Sequence, residues 1–524
     1  MKTTKKESYI LARRDLYESD LLKRRSSTYW EGYTRAFALV MLLVFPLLMG
    51  LNGYTAITEG KYILFKILSF AYIGGCALIV VGFTMVKKDW RSRRAEGFQK
   101  LSWPQILLMA WAAWGLLSAL ISPYENLWEG QSRYEGVLSM LLYTAVFVLV
   151  GFWGEYSRLY LPAMAVMALA QGVVSILQIC GVDLIYPQGY DFRSTLFVGF
   201  VGNIDCMGGI VAVTVPALVC GFILLKNRWR YAMLAGAAIL FAVEIFIDVD
   251  SAKMGLLTAL VVALPFLLTE RRHVKNTLYA GAVLAAVMGI CKWLNLPHHT
   301  RGSAALLCVL LGAAALMGAA GFFTDRCKLR IALPAKTIRL IVLGAEVLAV
   351  IAALLYVSHY SGGNTLLMNA RDLLHGHLSD DAGNYRGFVW KACLVLMGEK
   401  PILGYGPGSF MEVFAPYNRP ELGVVYDFAH NDFLQIGVCM GCVGLALYLA
   451  FIVVLAVRVL KNADRCPLLV IFASSAAGYL VHSFFGFSIA IVAPVFWVLA
   501  GLMEKLVRQL PEETAPSAGK KNNS

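Results

Sequence analysis

Apolar runs of about 20 residues recur along most of this chain, separated by short charged connections. Each is long enough to cross roughly 30 Å of hydrocarbon at about 1.5 Å per residue. The runs are continuous, whereas a membrane β-barrel alternates apolar and polar residues in segments of about ten. A soluble domain fits no better, since charged residues are 15% of the 524 positions, against about 25% in soluble proteins. The sequence therefore predicts an all-α polytopic membrane protein with about fourteen (twelve to fourteen) transmembrane helices. They are expected at 34–53, 62–86, 103–122, 134–153, 157–180, 200–225, 231–248, 252–269, 276–294, 303–323, 336–358, 431–459, 466–484 and 488–507.

The net charge of +13 sits in clusters between these runs, which marks topology and excludes a nucleic-acid partner. With the N-terminus inside, the even-numbered connections are KKDWRSRR (87–94), GEYSR (154–158), KNRWR (226–230), ERRHVK (270–275), TDRCKLR (324–330) and RVLKNADR (458–465). All but GEYSR are strongly basic, as cytoplasmic loops are. Odd-numbered connections such as SPYENLWEGQSR (122–133) and GVDLIYPQGYDF (181–192) are acidic or mixed. The expected organisation is a basic cytoplasmic tail over 1–33, helices 1–11 over 34–358, an extracytoplasmic loop over 359–430, three more helices over 431–507, and a disordered cytoplasmic tail over 508–524. No cleavable signal precedes the first run, and the basic tail suits contact with anionic lipid. The short gaps at 248–252 and 484–488 fit either two spans or one broken helix. The 359–430 connection is the only long one, and its Phe388, Trp390, Phe410 and Phe414 predict a folded cap.

Polar residues gather on the outward side. Lys253 begins one span just after Asp248 and Asp250, Arg193 and Asn203 flank another, Arg386 precedes Trp390 by one helical turn, and His430 opens FAHNDFLQIGVCMGCVGLALYLAF (428–451). Arg386 can fork onto phosphate, and Lys253 adds a point charge. His430 lies at a helix N-terminus, which favours the neutral imidazole and hence a base at neutral pH. A base beside a clamped diphosphate suits attack of a hydroxyl on a sugar carbon while a lipid diphosphate leaves. Simpler roles stay open: Lys253 pairing with Asp248 or Asp250, Arg386 as a solvated charge, His430 as a structural histidine, and Asn431 and Asp432 as helix caps. The stretch GYGPGSF (404–410), with Tyr405, reads as turns and close backbone approach. The His298–His299 and His375–His377 pairs and the Cys439–Cys442 pair lack the further ligands of a metal site, so neither metal nor cofactor is expected.

Together, RGFVWKACLVLMGEKPILGYGPGSF and AHNDFLQIGVCMGCVGLALY resemble the signature region of the O-antigen ligase and Wzy polymerase superfamily. The matching positions are Arg386, Trp390, Pro401, Gly404, Gly406, Phe410, His430, Asn431, Leu434, Gly441 and Gly444. GFVGNID (199–205) and DSAKMGLLTAL (250–260) resemble two further family stretches. Lys253 stands where the family usually has Arg, Ile204 replaces a Pro, and Asp205 an Asn. The resemblance implies a GT-C-like, metal-independent, inverting glycosyltransferase in the bacterial cytoplasmic membrane, both termini cytoplasmic. It would move a glycan from undecaprenyl diphosphate to a glycan, lipid or protein acceptor on the outer face. Arg386 and Lys253 would hold the diphosphate and His430 would activate the acceptor, with Arg193, Asn203, Trp390, Asn431 and Tyr405 binding substrate. Within the superfamily, a surface-polysaccharide polymerase or ligase is expected, and a protein O-oligosaccharyltransferase is the alternative. Outside it, a flippase or secondary transporter would use Glu244 and Glu346 within spans, and an envelope scaffold or sensor would use the long loop for binding.

Overall fold

The computed structural model describes residues 29–50, 53–86, 100–155, 157–185, 199–298, 300–327, 331, 333–418 and 425–510. Arg193, the basic connection at 87–94, most of the N-terminal tail and the C-terminal tail from 511 lie outside the described residues.

Among those residues all regular structure is helical, with no strand. Helices α1 (Tyr29–Leu47), α2 (Ile57–Val86), α3 (Trp103–Ile121), α4 (Val137–Trp153), α5 (Tyr160–Ile179) and α6 (Ile204–Leu224) come first. They are followed by α7 (Arg230–Ile247), α8 (Asp250–Leu267), α9 (Arg271–Leu294), α10 (Ala304–Arg326) and α11 (Ala335–Ser358). The long connection folds into α12 (Thr365–Leu374), α13 (Ala382–Glu399) and the short α14 (Phe410–Phe414), and α15 (Asp432–Asn462), α16 (Pro467–Phe485) and α17 (Ala493–Gln509) complete the chain. Each of the fourteen expected spans coincides with a helix, and twelve of these helices are long and apolar enough to cross a membrane. The other two, α4 and α17, have 17 residues each. The protein is a multi-pass membrane protein.

Boundaries shift where local chemistry overrides hydropathy. Pro46 sits in a 3-10 turn that ends α1 at Leu47, ahead of the expected residue 53, because proline cannot continue the helical hydrogen-bond ladder. Pro494 fixes the start of α17 five residues later than expected. Ser102 and Gln105 form a reciprocal capping box that starts α3. Asp248, in the left-handed region at φ 58°, separates α7 from α8 as two helices.

Helix α6 is the hub, with 94% of its span buried. It meets α8 and α16 through small residues: a Cβ on Gly255 would lie 2.5 Å from the Gly478 carbonyl oxygen, and one on Gly478 would lie 2.7 Å from that of Ala212. Such close backbone approach holds helices together where no hydrophobic drive separates them from lipid. At the periphery, α10 and α11 bury only 6% of their spans.

Helix α15 is broken. Gly441 adopts φ 68°, ψ −178°, and the segment after Pro401 packs into the gap. Cys442 N–H donates to the Pro401 carbonyl at 2.7 Å, and Tyr405 and Gly406 N–H groups donate to the Val438 and Cys439 carbonyls at 3.1 and 2.7 Å. From α3, Trp114 Nε1 donates to the Met440 carbonyl at 3.0 Å and Ser118 Oγ to that of Leu403 at 2.6 Å. Irregular backbone inside a membrane bundle persists when protein satisfies it in this way. Gly404, Gly406 and Gly408, all at positive φ, are the turns that let the loop approach so closely.

The charged connections sort to two ends. At one, Arg35 pairs with Glu155 at 2.6 Å, Arg271 and Arg508 donate to the Thr324 and Lys100 carbonyls at 2.8 and 2.6 Å, and Arg339 pairs with Asp464. At the other, the 122–136 connection, the start of α6, the end of the long connection and the α16–α17 turn converge on His430.

Candidate active site at the mouth of α15

Asn431 caps α15, its Oδ1 accepting the Leu434 N–H at 3.0 Å. Gln435 reaches back one turn and accepts the Ala429 N–H at 3.0 Å. Between these two anchors, His430 is held in the left-handed region at φ 49°, a conformation a non-glycine residue keeps only when its surroundings impose it. Its ring lies edge-on to Phe487, centroids 5.6 Å apart, and its Nδ1 has no hydrogen-bond partner among the described residues.

Four charged side chains act on this imidazole: Arg386, Asp205, Arg133 and Asp427. Burial first, then the Arg386 charge, holds its pKa at about 4, well under the ordinary 6.5. At neutral pH the ring is therefore uncharged and able to take a proton. Asp427 is differently placed. Burial pushes its carboxyl up, but the Arg133 fork, at 2.8 and 3.1 Å, and the Ser132 hydroxyl at 2.5 Å bring it below the usual carboxylate range. The Arg133 guanidinium also stacks 4.7 Å from the Phe487 centroid.

Arg386 enters from α13. The three residues before it, Gly383, Asn384 and Tyr385, form a left-handed turn at φ 60°, 58° and 64°, which kinks the helix at the residue that bears the charge. For Asn384 and Tyr385 this costs about 1–2 kcal/mol each. Among the described residues Arg386 forms no ion pair and no hydrogen bond, unlike Arg133. One turn on, Trp390 packs against Phe484 and Phe485 at 6.0 and 6.4 Å, tying α13 to the end of α16.

Lys253 is held in an ionic group of its own. It contacts Asp250 at 2.6 Å and Asp248 at 3.1 Å, and Lys292 joins Asp248 at 3.3 Å. The start of α8 nonetheless borders the site, since Val249 and Ala252 pack on Gly208 of α6. Asn203 caps α6, accepting the Asp205 and Cys206 N–H groups at 2.8 and 3.2 Å. Tyr405 donates to Glu399 at 2.7 Å and belongs to the loop that fills the α15 break. The Arg386 charge thus acts on His430, Asn203 and Asn431 serve as helix caps, and Tyr405 and Lys253 have partners of their own.

Arg133, Asp427, Phe487 and Asp205 complete the site from positions that the charge survey of the sequence did not single out. Arg133 alone carried a usable signal, as the cation in a mostly acidic connection.

Residues 248–449 match the family model described as O-antigen ligase. That stretch is 202 of the 524 residues, and over it the chain is similar to that family. No curated protein matches it. The O-antigen ligase segment runs from Asp248 through Lys253, Arg386 and His430 into α15, and Arg133, Asp205 and Phe487 lie beyond its limits.

Proposed function

We propose that the protein transfers a glycan from a polyprenyl diphosphate donor to an acceptor hydroxyl, with Arg386 on the diphosphate and His430 as general base. The observation that carries this is a guanidinium, unpaired among the described residues, whose charge acts on a neutral, buried imidazole at one bundle end. Arg386 can accept two phosphate oxygens in its fork without first breaking an ion pair. The acceptor O–H gives its proton to His430 as its oxygen bonds to the anomeric carbon, on the face opposite the departing phosphate. The carbon–oxygen bond to phosphate breaks with its electron pair, and polyprenyl diphosphate leaves. Inversion at the sugar carbon follows from this single displacement.

Lys253 is already balanced by two carboxylates and would reach phosphate only by releasing Asp250, so its contribution is secondary. The basic residues at the opposite end support a cytoplasmic location for that end under the positive-inside rule, and with it an outer-face location for His430. A polysaccharide polymerase, a ligase to lipid and a protein O-oligosaccharyltransferase share this chemistry and differ in acceptor. The test is reconstitution of the purified protein with an undecaprenyl-diphosphate oligosaccharide and candidate acceptors, in EDTA, scoring acceptor-dependent release of polyprenyl diphosphate. Release that survives EDTA is expected, and none with any acceptor class would refute the proposal.

A further inference from the structure

A second imidazole borders the same site. His482, near the end of α16, is 1% exposed, and its Nδ1 has no hydrogen-bond partner among the described residues. A buried polar atom without a partner is destabilising, so one that is retained calls for an explanation. Three glycines enclose the ring: Cβ atoms on Gly208, Gly209 and Gly486 would come within 3.4, 3.1 and 3.7 Å of it. Its neighbours point to the transfer site. Gly486 is followed directly by Phe487, which contacts His430. The Phe484 and Phe485 rings after His482 receive Trp390, one turn beyond Arg386. The Arg386 charge acts on both imidazoles, His430 and His482.

We propose that His482 is a phosphate-binding residue of the transfer site, donating a ring N–H to an oxygen of the donor diphosphate beside Arg386. A neutral imidazole always carries one N–H, and a phosphate oxygen held by Arg386 supplies an acceptor that the described residues do not. The division of labour is then unequal: His430 handles the acceptor's proton, whereas His482 holds the leaving group and exchanges no proton. This rests on the transferase reading above.

The experiment measures equilibrium binding of undecaprenyl diphosphate to the purified full-length protein in nanodiscs, together with donor and acceptor KM. His482→Phe keeps a ring and removes the donor, His482→Ala avoids crowding the glycines, and His482→Gln restores an N–H. Losing a hydrogen bond to a charged group should weaken diphosphate binding about tenfold or more in the Phe and Ala variants. Donor KM should rise, acceptor KM should hold, and the Gln variant should recover most of the affinity. If either the Phe or the Ala variant keeps its unfolding midpoint and binds as tightly as wild type, the role of His482 is overturned while the transferase reading stands. If wild-type protein itself does not bind the diphosphate, both fall.

Discussion

Arg133 grips Asp427 with both arms of its guanidinium, at 2.8 and 3.1 Å, across 294 residues of chain. The pair fixes the 122–136 connection to the segment that delivers His430, three residues on. Because Arg133 also stacks on Phe487, and Phe487 touches the His430 ring, one ion pair bears on both the backbone and the side-chain position of His430.

Arg133→Ala should therefore act through placement of the base. It leaves Asp427 without its fork in a site about four-fifths shielded from solvent, at a cost of about 1–3 kcal/mol in stability. Turnover should fall about tenfold to a hundredfold with diphosphate binding unchanged, and Arg133→Lys should recover only part of it. Unfolding midpoints and single-turnover rates check this, and unchanged turnover would free Arg133 of any positioning role.

The acid limb of kcat/KM should report His430. The base works as neutral imidazole, so activity is retained above its pKa and lost as pH falls through it. With burial and Arg386 holding that value at about 4, kcat/KM should stay level from pH 8 to about 5 and drop below that. A limb centred near 6.5 would mean an unperturbed base. His430→Ala should lose about two to four orders of magnitude in kcat.

The two cations should not be equivalent. Arg386→Ala should cost about a hundredfold or more in kcat, and Arg386→Lys should restore little, because an ammonium cannot fork onto phosphate. Lys253→Ala, which removes a cation already paired to Asp248 and Asp250, should cost about tenfold or less. Parallel kinetics of the three variants decide it, and a Lys253 effect as large as that of Arg386 would reverse the ranking.

Gly441→Ala tests the helix break. A Cβ there collides with the Ile402 carbonyl, and φ of 68° strains any L side chain. Folded protein recovered from membranes should fall severalfold, read by size-exclusion chromatography in detergent. Normal recovery would mean that α15 tolerates a straight path.

Glu346 separates the transferase from a transporter. It lies midway along α11, a helix with no buried residues, and neither carboxylate oxygen has a partner among the described residues. Glu346→Gln should leave glycan transfer within about twofold of wild type, since nothing connects it to His430. Abolished transfer would revive the intramembrane-carboxylate mechanism.

Hydropathy made the helices legible because spanning length and apolarity are local properties. Arg386 and His430 could be proposed from sequence, since a lone guanidinium and a lone imidazole at span mouths stand out against apolar sequence. The Arg133–Asp427 pair could not, because a contact between residues 294 apart leaves no periodic trace. His482 sits in an apolar helix and reads there as a core residue. The break in α15 escaped because an apolar run says nothing about φ, although the glycines of the 404–408 loop, read as close-approach residues, were half of the same feature. Lys253 shows the converse: its charge was plain, but the sequence could not tell whether Asp248 and Asp250 would claim it.

A structure determined with undecaprenyl diphosphate bound tests the central claim most directly. The account requires a phosphate group in contact with the Arg386 guanidinium, with the His430 ring facing the carbon side of the scissile bond. Diphosphate bound at the opposite, basic end of the bundle, away from both side chains, would contradict it.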